Sequence, residues 1–215
     1  MARIRAKVES PVSSFILVST EPVLNEDRRL KIAEEYGIIH ATYPLDVDST
    51  AFRYIMQLIE FARSEPEVAE KRGGYTKYGA YFGEPYAGWC TEFVVYCTIK
   101  TKAQFTGGEI GNWYPIKNTS GRCVRWYRNN NSFFRPDGFI PRAGDLMFFD
   151  AAQEGDSDHT ALVTGVEYDE TENAYYILTI EGNIPGDRPS NRIRSRRIRW
   201  DDKTIYGYGT FFPEV

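Results

Sequence analysis

The sequence predicts an α+β fold in which N-terminal helices pack on a mainly antiparallel sheet of about five strands. Two observations predict it. Segments with helical spacing of apolar residues, separated by loops, occur only up to about Asn130, and from Pro141 onward short apolar or alternating runs follow one another with no helix between them. Helices first and then consecutive strands argue for an antiparallel sheet with helices to one side, because parallel strands need helical crossovers.

The chain has 215 residues, which suits one domain with an extension, and 42% hydrophobic residues supply a sizeable core. A net charge of −4 disfavours a general nucleic-acid partner. The three cysteines form no C-x-x-C pair, so a disulfide framework and a zinc site are both disfavoured. One bridge between Cys97 and Cys123, leaving Cys90 free, stays open at this level. No run is long and apolar enough to span a bilayer. The apolar patch Phe15–Val18 is too short and too interrupted by serines to be a signal-peptide core, so the chain is expected to be a trimmed form or to use another route.

Residues 1–48 read as an N-terminal extension, with a candidate helix over Asn25–Tyr36 ended by Pro44. His40 lies in it and is given no catalytic role. Residues 49–215 read as the main domain. Ser49 or Thr50 can cap a helix over Ala51–Ser64, whose Phe52, Ile55, Met56 and Ile59 form an apolar face. A long loop, Glu65–Trp89, follows; it is broken by Gly73-Gly74 and rich in tyrosine. Phe93, Val94 and Cys97 then carry helical spacing, which places Cys90 in the first turn of a helix. Ser120–Asn130 reads as a short helix with Cys123, Trp126 and Tyr127 inward. The strands are Asp145–Phe149, His159–Tyr168, Ala174–Glu181, Arg192–Trp200 and Tyr206–Phe212, with a turn at Asp169–Asn173.

The first turn of a helix favours a thiolate, because its backbone N–H groups are unpaired and the helix dipole is positive there. Cys90 is therefore the candidate nucleophile of a cysteine hydrolase. Outside the extension His159 is the only histidine. A hairpin through Asp169–Asn173 returns the end of the second strand to the start of the first. That end reads Glu181-Gly182-Asn183, so Glu181 and Asn183, two apart, are both candidates to orient the imidazole. Asp158, next to His159, ranks below them, since neighbours on a strand face opposite ways. The run Arg188, Arg192, Arg194, Arg196, Arg197, Arg199 could bind an anion but reads better as a charged edge strand. The acidic loop Asp150–Asp158 lacks EF-hand spacing and reads as a solvated loop.

These residues resemble a known family. Tyr78-Gly79-x-x-Phe82-Gly83 followed by Gly88-Trp89-Cys90-x-x-Phe93-Val94-x-x-Cys97 is similar to the CHAP domain, the cysteine- and histidine-dependent amidohydrolases and peptidases. Pro141-Arg142-Ala143-Gly144-Asp145-Leu146-Met147-Phe148-Phe149, Asp158-His159-Thr160-Ala161-Leu162-Val163, Ile180-Glu181-Gly182-Asn183 and Ile205-Tyr206-Gly207-Tyr208-Gly209 follow in the family's order, over about residues 72–212.

The resemblance implies a papain-like, NlpC-type fold and cleavage of an amide bond in peptidoglycan, either as an N-acetylmuramoyl-L-alanine amidase or as an endopeptidase. It implies that Cys90 is the nucleophile, that His159 is general base and then acid, that Glu181 orients His159, and that Asn183 supports or shares that role. It calls for no cofactor and no metal. Some relatives hold calcium in an acidic loop before the cysteine, and here only Glu84 stands near Cys90 in that loop, so calcium is not carried over. The expected partner is peptidoglycan or its peptide fragments, met by a monomer that is secreted, wall-associated or a cytoplasmic phage-type lysin. Two other readings stand beside it: an amidase on a small glutamyl or polyamine conjugate, and a catalytically idle wall-binding module.

Overall fold

A computed structural model describes residues 40–41, 49–71, 73–137, 139–184 and 192–210. The candidate helix over Asn25–Tyr36 lies outside the described residues. In chain order the elements are β1 (His40–Ala41), α1 (Thr50–Ser64), α2 (Lys77–Tyr81), α3 (Cys90–Gln104) and α4 (Ser120–Asn129). Then come β2 (Phe133–Phe134), β3 (Phe139–Ile140), β4 (Leu146–Phe149), β5 (His159–Asp169), β6 (Ala174–Gly182), β7 (Ile193–Arg199) and β8 (Ile205–Gly209).

Local chemistry explains the helix starts. Ser49 Oγ accepts from Phe52 N at 3.0 Å and caps α1, and Thr76 Oγ1 accepts from Gly79 N at 3.0 Å and caps α2. The short helix α2 interrupts what the sequence reads as one long loop. The helix α3 differs from the others: it buries Thr91, Phe93, Val94, Val95, Cys97, Thr98 and Thr101 around its circumference, as suits a helix in the middle of a core.

The main sheet runs β2-β8-β4-β5-β6-β7 and every pairing in it is antiparallel. The five strands read from the sequence are all present, and the two-residue β2 adds a sixth. β1 pairs in parallel with β3, through His40 opposite Phe139, so two residues of the segment read as an extension pair with a strand of the main domain. Helices α1 and α3 pack together, and α3 packs on β5 and β6. Tyr54, Leu58, Phe93 and Val94 meet Leu146, Phe148, Leu162 and Ile180 there. The alternate strand residues Met147, Phe149, Ala161, Val163 and Ile177 form a second core.

The edge strand β7 carries Arg194, Arg196, Arg197 and Arg199, Arg192 directly precedes it and Arg188 lies outside the described residues; several of these charges are met by acidic neighbours. Arg197 contacts Glu167 and Asp169, Arg192 contacts Glu67, and Arg199 contacts Asp201. This is the charged edge that the sequence favours over an anion site.

Candidate active site

The site is where the start of α3 meets the open end of the β5–β6 hairpin. Antiparallel pairing from Asp169 opposite Ala174 to Leu162 opposite Ile180 carries His159 and Glu181 to the same end of the hairpin. A register irregularity between Val163 and Gly165 lies between the turn and the site.

His159 is 2% exposed and Glu181 0%. Glu181 Oε2 lies 2.7 Å from His159 Nε2. An ionised carboxylate only accepts, so Nε2 carries the proton and Nδ1 is left for another partner. Nδ1 has no partner within strict hydrogen-bond geometry, yet the ring and the Cys90 thiol interact. The sulfur–imidazole contact is therefore a loose one, as is common for such pairs before substrate binds.

Two buried threonines fix the start of α3 to the start of β5. Thr91 Oγ1 and Thr160 Oγ1 are 2.9 Å apart, and the Thr160 backbone N–H reaches the Cys90 sulfur. Trp89, at the N-cap of α3, offers no side-chain acceptor to the first-turn N–H groups.

The electrostatics follow from this packing. Burial opposes a charged Cys90, but hydrogen bonding to His159 and its positive charge, with help from Thr91 and Thr160, hold the thiol below its ordinary value. Burial also opposes a charged His159, and the hydrogen bonds to Cys90 and Glu181 override it and raise the imidazole to about 9. Glu181 is desolvated as well, but His159, Arg196 and Thr179 keep it below the usual carboxylate value. The other cysteines are different. Burial pushes Cys97 well up and Cys123 up to about 12. All three cysteines are free thiols, which closes the Cys97–Cys123 bridge left open by the sequence.

Of the four candidate residues, Cys90, His159 and Glu181 form one connected line. Asn183 lies just past β6, in the left-handed region at φ 52°. The alternation of the strand has ended there. Its amide nitrogen faces Gly88, where a Cβ would come within 3.3 Å. Asp158 faces its own loop: Oδ2 accepts from the backbone N–H groups of Ala151 and Ala152. Asp150 accepts from Glu154 and Gly155 in the same way, so the acidic loop is closed on itself. Among the described residues no group of three or more histidines, cysteines or carboxylates is placed to hold a metal.

The sequence reading missed Thr91, Thr160 and Thr179, and it named Arg196 only as one charge of the edge strand, not as a partner of Glu181. Thr179 Oγ1 donates to Glu181 Oε1 at 2.6 Å, and Arg196 donates to Glu181 Oε2 at 3.1 Å. Thr179 stands two residues before Glu181 on one strand, a signal that was available. The threonine pair across α3 and β5 had none, because nothing local sets such residues apart from ordinary strand or helix positions.

Residues 80–183, which hold Cys90, His159, Glu181 and Asn183, match the CHAP domain family. The chain carries a CHAP domain. CHAP domains are generally of hydrolase or peptidase type, and peptidoglycan is the substrate that the family suggests. No curated protein matches the chain. No helix among the described residues is long and apolar enough to cross a membrane.

Proposed function

We propose that this CHAP domain is a thiol peptidoglycan hydrolase that cuts an amide bond, as an N-acetylmuramoyl-L-alanine amidase or a peptidoglycan endopeptidase. The observation that carries the reading is the line from Cys90 through His159 to Glu181, in which the one thiol held below its ordinary value contacts an imidazole backed by a buried carboxylate.

In this reading the Cys90 sulfur attacks the amide carbonyl while His159 Nδ1 holds the thiol proton. The oxyanion that forms is met by backbone N–H groups at the start of α3, for which Trp89 supplies no competing cap. His159 then gives its proton to the leaving amine, the C–N bond breaks, and an acyl-enzyme remains. Water, deprotonated by His159, attacks the thioester and frees Cys90 and the acid product. Glu181 keeps Nε2–H pointed away from the sulfur and balances the imidazolium. Asn183 steadies the loop that carries Gly88 and Cys90, in support of that pair. The catalytic unit in this proposal is residues 49–215, acting at the cell wall.

The test is to digest purified peptidoglycan with the wild-type protein and with Cys90→Ala and to identify the fragments by mass spectrometry. New amino termini that appear only with the wild type support the reading and name the bond. Identical digests end it.

A further inference from the structure

Glu181 is not served by the imidazole alone. Its two buried oxygens take three donors from three sources: His159 Nε2 at 2.7 Å and Arg196 at 3.1 Å on Oε2, and Thr179 Oγ1 at 2.6 Å on Oε1. Arg196 comes from the edge strand β7, where it stands opposite Thr179. Its side chain is 39% exposed while the carboxylate it reaches is 0% exposed. The guanidinium also lies over the ring of Phe149, 5.8 Å from its centroid, and that ring stands 5.4 Å from the His159 ring. Arg196 thus touches both the carboxylate and the aromatic wall that bound the imidazole.

We propose that Arg196 is a positioning residue of the site, which anchors the Glu181 carboxylate against His159 and offsets part of its negative charge. The proposal rests on the catalytic reading above. A buried carboxylate facing only an imidazole would hold that ring as a fixed imidazolium, because losing the proton would leave an uncompensated charge in a poor dielectric. A permanent cation on the same oxygen removes that constraint. Glu181 then stays ionised in both states of the ring, and His159 is free to take and return a proton.

The groups that set the charge of the ring can be named from each side. Cys90 faces it from α3, and Glu181 faces it from β6. The Phe149 ring on β4 brings no charge. Arg196 acts from β7, where Arg194 stands directly across from Glu181 in the strand register.

The chain has two histidines, so His40→Gln leaves His159 as the single imidazole for an NMR titration of the full-length protein. In that background Arg196→Met is expected to raise the His159 midpoint by about one pH unit, a tenfold tighter proton. Arg196→Lys, which keeps the charge, is expected to restore most of the wild-type midpoint. Arg196→Gln repeats the comparison if the methionine variant does not fold. On peptidoglycan, Arg196→Met is expected to lower kcat by roughly tenfold with KM little changed. A midpoint that is the same in wild type, Arg196→Met and Arg196→Gln overturns the proposal, whatever the proteins do to peptidoglycan. A raised midpoint in a protein that leaves peptidoglycan intact upholds the positioning role and sinks the substrate reading instead, and a lowered one overturns the proposal as an unchanged one does.

Discussion

The indole of Trp89 lies on the bare Cα of Gly182: a Cβ there would sit 2.1 Å from Cζ3 of the ring. Trp89 precedes Cys90, and Gly182 follows Glu181, so this contact sets the thiol loop against the carboxylate strand. The indole is itself held by stacking on Tyr78, with centroids 5.4 Å apart, and by a long bond of 3.4 Å from Nε1 to Glu70. Gly182→Ala should therefore force the two segments apart, at a cost of about 1–3 kcal/mol. Chemical denaturation should show the loss of stability, and slower alkylation of Cys90 should show the displaced thiol. Unchanged values for both would mean that the indole moves aside freely.

Iodoacetamide should separate the three thiols. Cys90 is half-buried and held below its ordinary value by His159, whereas burial raises Cys97 and Cys123. One fast carbamidomethylation at Cys90, mapped by peptide mass spectrometry, is expected, and Cys90→Ala should abolish it. Equal slow reaction at all three positions would favour the idle binding module over the enzyme.

Glu181→Gln keeps the shape of the side chain and removes its charge. His159 stands at about 9 because hydrogen bonding to Cys90 and Glu181 outweighs desolvation, so losing the carboxylate should lower the imidazole midpoint. Fewer imidazolium–thiolate pairs then exist at neutral pH. Activity on peptidoglycan should fall by on the order of 10²-fold, with some remaining because Cys90 and His159 are intact. The same His159 titration by NMR checks the direction of the shift. A midpoint that rises would show that Glu181 does not supply the compensating charge.

Glu92 gives a pH-dependent stability with a definite sign. It is 1% exposed in the first turn of α3, and neither carboxyl oxygen has a hydrogen-bond partner. Burial, with Glu84 nearby, raises it from 4.5 to about 7. A carboxyl whose folded value is raised favours the folded state fully below 4.5, and that contribution is lost as pH rises through 7. Glu92 should thus contribute a loss of stability between pH 5 and pH 8, and Glu92→Gln should remove that part of the wild-type loss. At pH 8 the variant should be more stable than the wild type by on the order of 2 kcal/mol. Thermal or urea denaturation at both pH values checks this, and a variant that keeps the wild-type pH dependence would refute it.

Much of the secondary structure was legible from local signals. The Ser49 cap, the helix starting at Cys90 and the turn between β5 and β6 each follow from a few adjacent residues, whereas of the apolar face expected on α1 only Ile55 and Ile59 are buried, beside Tyr54, Leu58 and Ala62, and Phe52 and Met56 stay half-buried. The meeting of His159 and Glu181 was legible too, because a hairpin with a short turn fixes which residues share its open end. The placement of Asn183 was not, since strand alternation ends at Gly182 and the next residue enters the left-handed region.

What the sequence determined alone was what propensity and period can encode: the order of helices and strands, the hairpin, and the residue types able to do thiol chemistry. The tertiary structure decided which groups stand behind them. Thr160 on the Cys90 sulfur, Thr179 and Arg196 on Glu181, and Trp89 on Gly182 join elements far apart in the chain. A hydrogen bond or contact of that kind leaves no local pattern, because its partners are chosen by how the elements dock and by the need to satisfy each buried polar group once water is gone.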